Sequence, residues 1–238
     1  MMNIALVGYG KMGKAIEAIA LKEGHSIVLK INSKNFSEFT ADSLKNSDVA
    51  IEFSHPSTAV DNITKCLNVG IPVVCGTTGW LAELSKIEQL CNELSGSFLY
   101  ASNFSVGVNI FFEINKKLAE LMDKKNYSVT IEETHHTQKK DSPSGTAITL
   151  AEGIMSHLKE KIKWVNKPTS NVEELPIISK RIDSVPGTHR VIYSSPVDDI
   201  DIIHTAHNRT GFANGALLAA EFIVNRKGNF TMKDVLGI

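Results

Sequence analysis

Fifteen residues in the second half of the chain hold its densest set of proton-moving and anion-binding groups: Glu133-Thr134-His135-His136-Thr137-Gln138-Lys139-Lys140-Asp141-Ser142-Pro143-Ser144-Gly145-Thr146-Ala147. A histidine and a lysine four residues apart can supply a proton donor and a cationic hydrogen bond to a small anion. Ser144-Gly145-Thr146 precedes the apolar spacing Ala147, Leu150, Ala151 and Ile154, which predicts a helix start whose backbone N–H groups can bind a carboxylate. His135 and His136 are neighbours, so on a persisting strand they point to opposite faces and do not readily share one ion. No metal is expected. The plain alternative for this stretch is a polar strand end with a solvated Lys139-Lys140 pair.

A second constellation lies near the N-terminus, where Gly8-Tyr9-Gly10-Lys11-Met12-Gly13 follows an apolar run and opens a helical period. In the dinucleotide fingerprint the first glycine permits a tight turn, the second admits a pyrophosphate to the backbone, and the third lets helix and strand pack closely. The negative charge then meets the helix N-terminus. The competing reading is a glycine turn with a packing role only. An NAD site usually places an acid about 20 positions further on; here the second strand ends in Asn32-Ser33-Lys34. Asn32 and Ser33 can hydrogen-bond a hydroxyl or a phosphate. Lys34 either pairs with a 2′-phosphate or is a solvated loop lysine. NADPH fits this segment and NADH stays open. Gly76-Thr77-Thr78-Gly79 and Ala101-Ser102-Asn103-Phe104 fall at the carboxyl ends of later strands, where ligands bind in open α/β sheets. Taken alone, both serve equally well as ordinary turns.

Elements must carry these groups, and the chain's periodicities supply them. Short β-branched runs at Asn3 to Val7, Ile27 to Ile31, Asp48 to Phe53, Ile71 to Cys75 and Phe98 to Ala101 alternate with helical periods at Lys14 to Lys22, Ser57 to Val69 and Leu81 to Leu94. That alternation predicts a Rossmann-type, doubly wound parallel sheet with helices on both faces. The rhythm then changes. A long helix is expected from Val108 to Met122, alternation through Val129, Ile131 and Glu133, a helix from Thr146 to Leu158, and strands at Ile177 to Ile182, Thr188 to Ser194 and Ile200 to His207. These imply a second, α+β domain. The boundaries are expected at 1-106 with 215-238 for the nucleotide domain and 107-214 for the substrate domain, with a last helix, Asn214 to Val224, and the tail packing back on the first.

Composition narrows the classes. The chain has 238 residues, 42% hydrophobic and 21% charged, ordinary for a globular protein and unlike a disordered one. Lys+Arg 25 against Asp+Glu 26 gives a net charge of -1, which argues against a nucleic-acid binder with a broad basic surface. Three cysteines without metal-like spacing read as buried hydrophobes in a reducing compartment. No apolar stretch approaches the roughly 20 residues of a membrane span, and the first apolar run is too short for a signal peptide. A cytoplasmic location is therefore expected, with no membrane partner.

The sequence resembles the 4-hydroxy-tetrahydrodipicolinate reductase (dihydrodipicolinate reductase) family of lysine and diaminopimelate biosynthesis. Its signature, E-x-H-x-x-x-K-x-D-x-P-S-G-T-A, is matched by Glu133, His135, Lys139, Asp141, Pro143, Ser144, Gly145, Thr146 and Ala147. The likeness extends to Gly76-Thr77-Thr78-Gly79, the stretch from Ala101 to Asn109, Arg181 with Gly187 and His189, and Arg209 with Phe212-Ala213-Asn214-Gly215-Ala216. Two departures stand out: Thr130 where many members carry a further glutamate, and a nucleotide turn one residue shorter than the common G-x-x-G-x-M-G.

The resemblance implies hydride transfer from NADPH or NADH to a cyclic imine dicarboxylate. His135 is the implied proton donor or acceptor and Lys139 the implied proton donor. His136, Ser144, Gly145 and Thr146 would bind substrate. Gly8, Gly10, Lys11, Met12, Gly13, Gly76, Thr77, Thr78, Ala101, Ser102, Asn103 and Phe104 would cradle the cofactor. It also implies a homotetramer built through the second domain. From the residues alone two rivals stand beside it: another two-domain dehydrogenase acting on an amino acid or sugar, and a nucleotide sensor that has lost its chemistry.

Overall fold

In a computed structural model that describes residues 1–183, 185–208 and 210–238, the chain divides into two units, Met1–Val106 with Arg209–Ile238, and Gly107–Asn208. The first unit runs β1 (Asn3–Val7), α1 (Lys11–Lys22), β2 (Ser26–Ile31), α2 (Ala41–Leu44), β3 (Val49–Glu52), α3 (Pro56–Asn68), β4 (Val73–Cys75), α4 (Leu84–Glu93) and β5 (Ser97–Tyr100). Then come α5 (Val106–Met122), β6 (Ser128–His135), α6 (Gly145–Met155), β7 (Lys163–Val165), β8 (Glu174–Arg181), β9 (Gly187–Ser194) and β10 (Asp199–Ala206). The chain closes with α7 (Thr210–Ile223), β11 (Gly228–Phe230) and α8 (Met232–Leu236).

Strands that are apolar on both sides demand cover on both faces, and the first unit provides it. Ile4 and Leu6 of β1 pack with Val49, Ile51, Val74 and Leu99 toward α1, α7 and α8; Ala5 and Val7 pack with Ala50, Val73 and Phe98 toward α3 and α4. Each fully buried aliphatic side chain contributes about 1.5–3 kcal/mol of transfer free energy. The sheet is parallel throughout, in the order β11-β5-β4-β3-β1-β2. The chain leaves β1 toward β2, returns, and continues on the other side with β3. The carboxyl ends of β1 and β3 therefore form the switch point, where open α/β sheets bind ligands.

The second unit is a mixed sheet, β10-β9-β6-β8-β7, with β6 at its centre, parallel to β8 and antiparallel to β9. One face is covered by α5 and α6, through Phe111, Ala119, Leu150, Ala151 and Ile154 against Val129, Ile131, Ile177 and Val191. Alternation along β6 places Val129, Ile131, Glu133 and His135 all inward. Its core-facing stripe thus turns polar at its last two positions. Among the described residues no helix is long and apolar enough to cross a membrane.

The region from Leu81 to Leu94 forms a 3₁₀ turn, Leu81–Glu83, ahead of α4, so the single expected helix is interrupted at its start. Strand β8 begins at Glu174, three residues ahead of the strand expected from Ile177 to Ile182, and takes in Pro176, which pairs with Val165 of the short strand β7. A proline is accepted there because the pairing of β8 with β6 starts only at Ile177, so at Pro176 the strand has a neighbour on one side alone.

Candidate active site

The glycine turn after β1 shows three different uses of glycine. Gly8 has φ +102°, and a side chain on it would collide with the Phe53 carbonyl beyond β3. The amides of Gly8 and Tyr9 both donate to the Ile31 carbonyl at 2.9 Å, pinning the turn to β2. At Gly13 a Cβ would lie 2.5 Å from the Gly8 carbonyl oxygen, so helix and turn touch through backbone. Gly10 differs: nothing lies within 4 Å of where its Cβ would be. It caps α1 without a side-chain hydrogen bond, and the first turn carries no acid but an exposed Lys11. An open glycine before an uncapped helix start suits a pyrophosphate, so these residues fit a dinucleotide. Met12 is half-buried against the apolar core beside this turn.

Beyond β2 the loop is drawn tight by its own amides. The Asn32 amide donates to Asn35 Oδ1 and the Lys34 amide to Asn32 Oδ1, each at 2.8 Å. Asn35, which the sequence reading passed over, also reaches back to the Lys30 carbonyl. Ser33 and Lys34 are exposed. Of the later cradle residues, Thr77 is buried, its hydroxyl accepting from the Ser54 amide at 2.8 Å and its carbonyl from the Trp80 indole at 2.6 Å. Gly76 lies against the Phe53 ring, where a Cβ would collide, while Thr78 and Ser102 are exposed. Ala101 is buried, and Asn103 caps its own loop by accepting from the Ser105 amide at 2.9 Å. Phe104 is a core residue, its ring centroid 5.6 Å from that of Phe53, and its carbonyl closely approached by Gly215. Its side chain is committed to packing, and only its backbone could meet a cofactor.

In the second unit the register of three strands assembles a polar cluster. Glu133 on β6 faces His189 on β9 and Ser179 on β8, while His135 pairs with Arg181. The Glu133 carboxylate is fully buried. Its Oε1 accepts from the Ser144 amide at 3.1 Å and from Arg181 at 3.0 Å; its Oε2 lies 3.2 Å from His135 Nδ1 and 3.8 Å from His189 Nε2. Burial alone would raise this carboxyl's pKa, but the nearby His135 ring and the donors on Ser144, Ser179 and Arg181 outweigh it and hold it well below the usual carboxylate range. The His135 and His189 rings meet edge to face at 5.0 Å, and burial, helped by His135, pushes His189 down to about 3. At Gly187 a side chain would begin 3.0 Å from His135 Nε2, so glycine leaves room beside that nitrogen.

His135 and Ser144 are thus brought into one network. Ser144 caps α6, its hydroxyl accepting from the Ala147 amide at 3.2 Å and meeting His189 Nε2 at 3.1 Å. That hydroxyl is occupied, so the helix start can meet a ligand through the exposed Gly145 and the half-buried Thr146. His136 sits just beyond the strand and is half-buried. The Lys139 ammonium is 2.8 Å from the Asp141 carboxylate, and Arg181 holds the Asp141 carbonyl at 2.6 Å. Burial opposes ionisation of Asp141, but the Lys139 hydrogen bond wins and lowers its pKa. Arg209 lies outside the described residues.

The sequence motif contained Glu133 without revealing its centrality, and His189 and Arg181 entered only through the family likeness. Cross-strand pairing, which a linear pattern does not record, joins them. Glu133, His135 and His189 present ligand atoms within 4.8 Å of one another, a spacing that could hold a metal ion, but Arg181 and Ser144 already engage the carboxylate.

A dinucleotide-type parallel sheet in one unit and an acid–base strand end beside a helix start in the other are the parts of a two-domain, nicotinamide-dependent oxidoreductase. Family models narrow the class: "Dihydrodipicolinate reductase, N-terminus" matches residues 2–104 and "Dihydrodipicolinate reductase, C-terminus" matches residues 107–236. The chain belongs to the dihydrodipicolinate reductase family. A 4-hydroxy-tetrahydrodipicolinate reductase of Christiangramia forsetii is 50% identical over 240 residues, covering 99% of this chain and 98% of the relative. One from Alkaliphilus oremlandii is 34% identical over 245 residues, covering 100% and 99%. The dipicolinate-bound dihydrodipicolinate reductase of Paenisporosarcina sp. TG-14 shares the fold with a TM-score of 0.80 at 21% identity, each chain covered to 97%.

Proposed function

We propose that this protein reduces 4-hydroxy-tetrahydrodipicolinate to tetrahydrodipicolinate with NADPH or NADH, the first unit holding the nucleotide and the second the dicarboxylate. Full-length similarity to the Christiangramia forsetii reductase carries this reading, and the intact cluster around His135 supports it. A bound nicotinamide supplies the hydride. The first unit orients it: Gly8 and Gly13 shape the turn, Gly10 and Lys11 receive the pyrophosphate, and the loops around Gly76 to Thr78 and Ala101 to Phe104 offer backbone groups to the ring. In the second unit the amides of Gly145 and Thr146 bind a substrate carboxylate, with His136 beside them. Each hydride must be matched by a proton, and the oxygen on the substrate ring leaves as water. His135 and Lys139 hold the protons for these steps.

The same reading places the protein in the cytoplasm as a homotetramer assembled through its second unit. The test couples the purified protein to a dihydrodipicolinate synthase reaction and follows the loss of reduced-nicotinamide absorbance. Turnover is expected with the parent protein, and His135→Gln and Lys139→Ala should each slow it by about 100-fold or more while cofactor affinity stays unchanged. Near-parental rates in both variants would remove the two residues from the mechanism.

A further inference from the structure

The structure assigns to Glu133 the role of a positioning residue that fixes both the ring tautomer of His135 and the ends of the loop carrying Lys139. This inference rests on the reductase reading for its kinetic consequence but not for its structural one. Among the described residues, Glu133 lies against His135, His189, Ser144 and Arg181. Oε1 accepts from Ser144, the first residue after the loop, and from Arg181, which also binds the Asp141 carbonyl within the loop at 2.6 Å. The strand that leads into the loop, through Glu133 and His135, and the helix that leaves it, through Ser144, are therefore tied to one carboxylate. Oε2 has no donor of its own among the described residues and faces His135 Nδ1 at 3.2 Å, short of good hydrogen-bond alignment.

A negative oxygen at that distance favours the tautomer with its proton on Nδ1. Nε2 then keeps its lone pair on the side where Gly187 leaves room. The assignment gives the two carboxylate oxygens different tasks, and a single substitution separates them. In Glu133→Gln the carbonyl oxygen must stay at the Oε1 position, because Ser144 and Arg181 both present donors there. The amide NH₂ is left facing His135 Nδ1 and turns an acceptor position into a donor. The ring proton should move to Nε2, the wrong nitrogen, as happens when an orienting carboxylate becomes an amide in serine proteases.

The experiment uses full-length parent protein, Glu133→Gln, Arg181→Gln and the double variant Glu133→Gln with Arg181→Gln. Ring-nitrogen NMR spectra of histidine-labelled protein report the His135 tautomer, and steady-state kinetics report kcat and both KM values. In Glu133→Gln the spectrum should show the proton moved to Nε2, with kcat lower by about 10- to 100-fold, the range for lost orienting partners, and the cofactor KM unchanged. If Glu133→Gln is too unstable to purify, the double variant decides, since it leaves no unpaired buried charge. Positioning predicts that the double variant regains parental thermal stability and still turns over slowly with the altered ring spectrum. Recovery of stability and kcat together, or a parental ring spectrum in Glu133→Gln, would overturn the assignment. A parent protein that shows the Nδ1-protonated ring but no reduction of substrate would sink the reductase reading and leave the assignment standing.

Discussion

At the scale of single residues, one buried histidine and one exposed lysine each carry a testable pH or salt dependence. His189 has its pKa depressed to about 3, chiefly by burial. Above about pH 6.5 the ring is neutral in folded and unfolded chains alike and adds no pH dependence. Between about 6.5 and 3 the unfolded chain takes up a proton that the folded chain refuses, so stability falls as pH falls. Urea unfolding of the parent between pH 7 and 5 should show this as a slope of up to about 1.4 kcal/mol per pH unit. His189→Gln, which can still meet the Ser144 hydroxyl, should flatten it; equal slopes would refute the burial account. Lys34 poses the opposite case. It is exposed at the end of a loop drawn tight by Asn32 and Asn35, and the segment Asn32 to Lys34 holds no carboxylate to repel a 2′-phosphate. We expect both nucleotides to be used, with NADPH favoured by about 10-fold or less in kcat/KM and less again at high salt. Lys34→Glu should reverse the preference. A strong NADH preference in the parent would show that another residue reads the ribose. The motif from Glu133 to Ala147 was legible in sequence because its groups are contiguous, whereas the arrival of His189 and Arg181 from β9 and β8 depends on register.

At the scale of elements, the glycine turn separates shape from binding. Gly8→Ala and Gly13→Ala would each drive a methyl into backbone, against Phe53 or against Gly8 itself. Both variants should unfold at markedly lower temperature, since overpacking typically costs about 1–3 kcal/mol and the backbone here cannot step aside. Gly10→Ala meets open space and should keep parental stability within about 1 kcal/mol, yet weaken NADPH binding by about 10-fold if the proposed pyrophosphate site is right, since the methyl would take up that space. Equal loss of stability in all three, measured by thermal melting beside cofactor titration, would refute the distinction. The longer elements were legible for a plain reason: β1, β3, α3 and α5 carry enough residues to show a period. Strands β7 and β11, three residues each, show none, and pairing with β8 and β5 creates them; β4 is as short but was legible as part of the apolar run Ile71 to Cys75. The start of β8 at Glu174, ahead of the expected Ile177, has the same origin, since its first residues are strand only through pairing with β7.

At the scale of the whole molecule, the remaining question is what covers the outer edge of the second sheet. Strand β10 pairs with β9 on one side only, over eight residues, and leaves a row of backbone groups on the other. Along it Ile203 is 57% exposed and Ile200 37% exposed, and Val197 in the turn before it is 88% exposed. Natural edge strands are usually blunted by charge, proline or brevity, because an open apolar edge recruits other strands. Asp199 and Asp201 give this edge some charge, but Arg190 pairs with Asp201 and cancels part of it. Closed symmetry removes such an edge without leaving a new one exposed, which favours a symmetric oligomer over an open chain of copies. The homotetramer proposed above predicts a light-scattering mass of about four times the 26.0 kDa chain mass at micromolar concentration, and this open edge is where a symmetric contact would close. Ile203→Lys places a charge into the apolar edge and should shift the mass toward smaller species while cofactor affinity stays unchanged. A parent protein that scatters as a monomer, or an Ile203→Lys variant that keeps the full assembled mass, would show that this edge is not where the subunits meet.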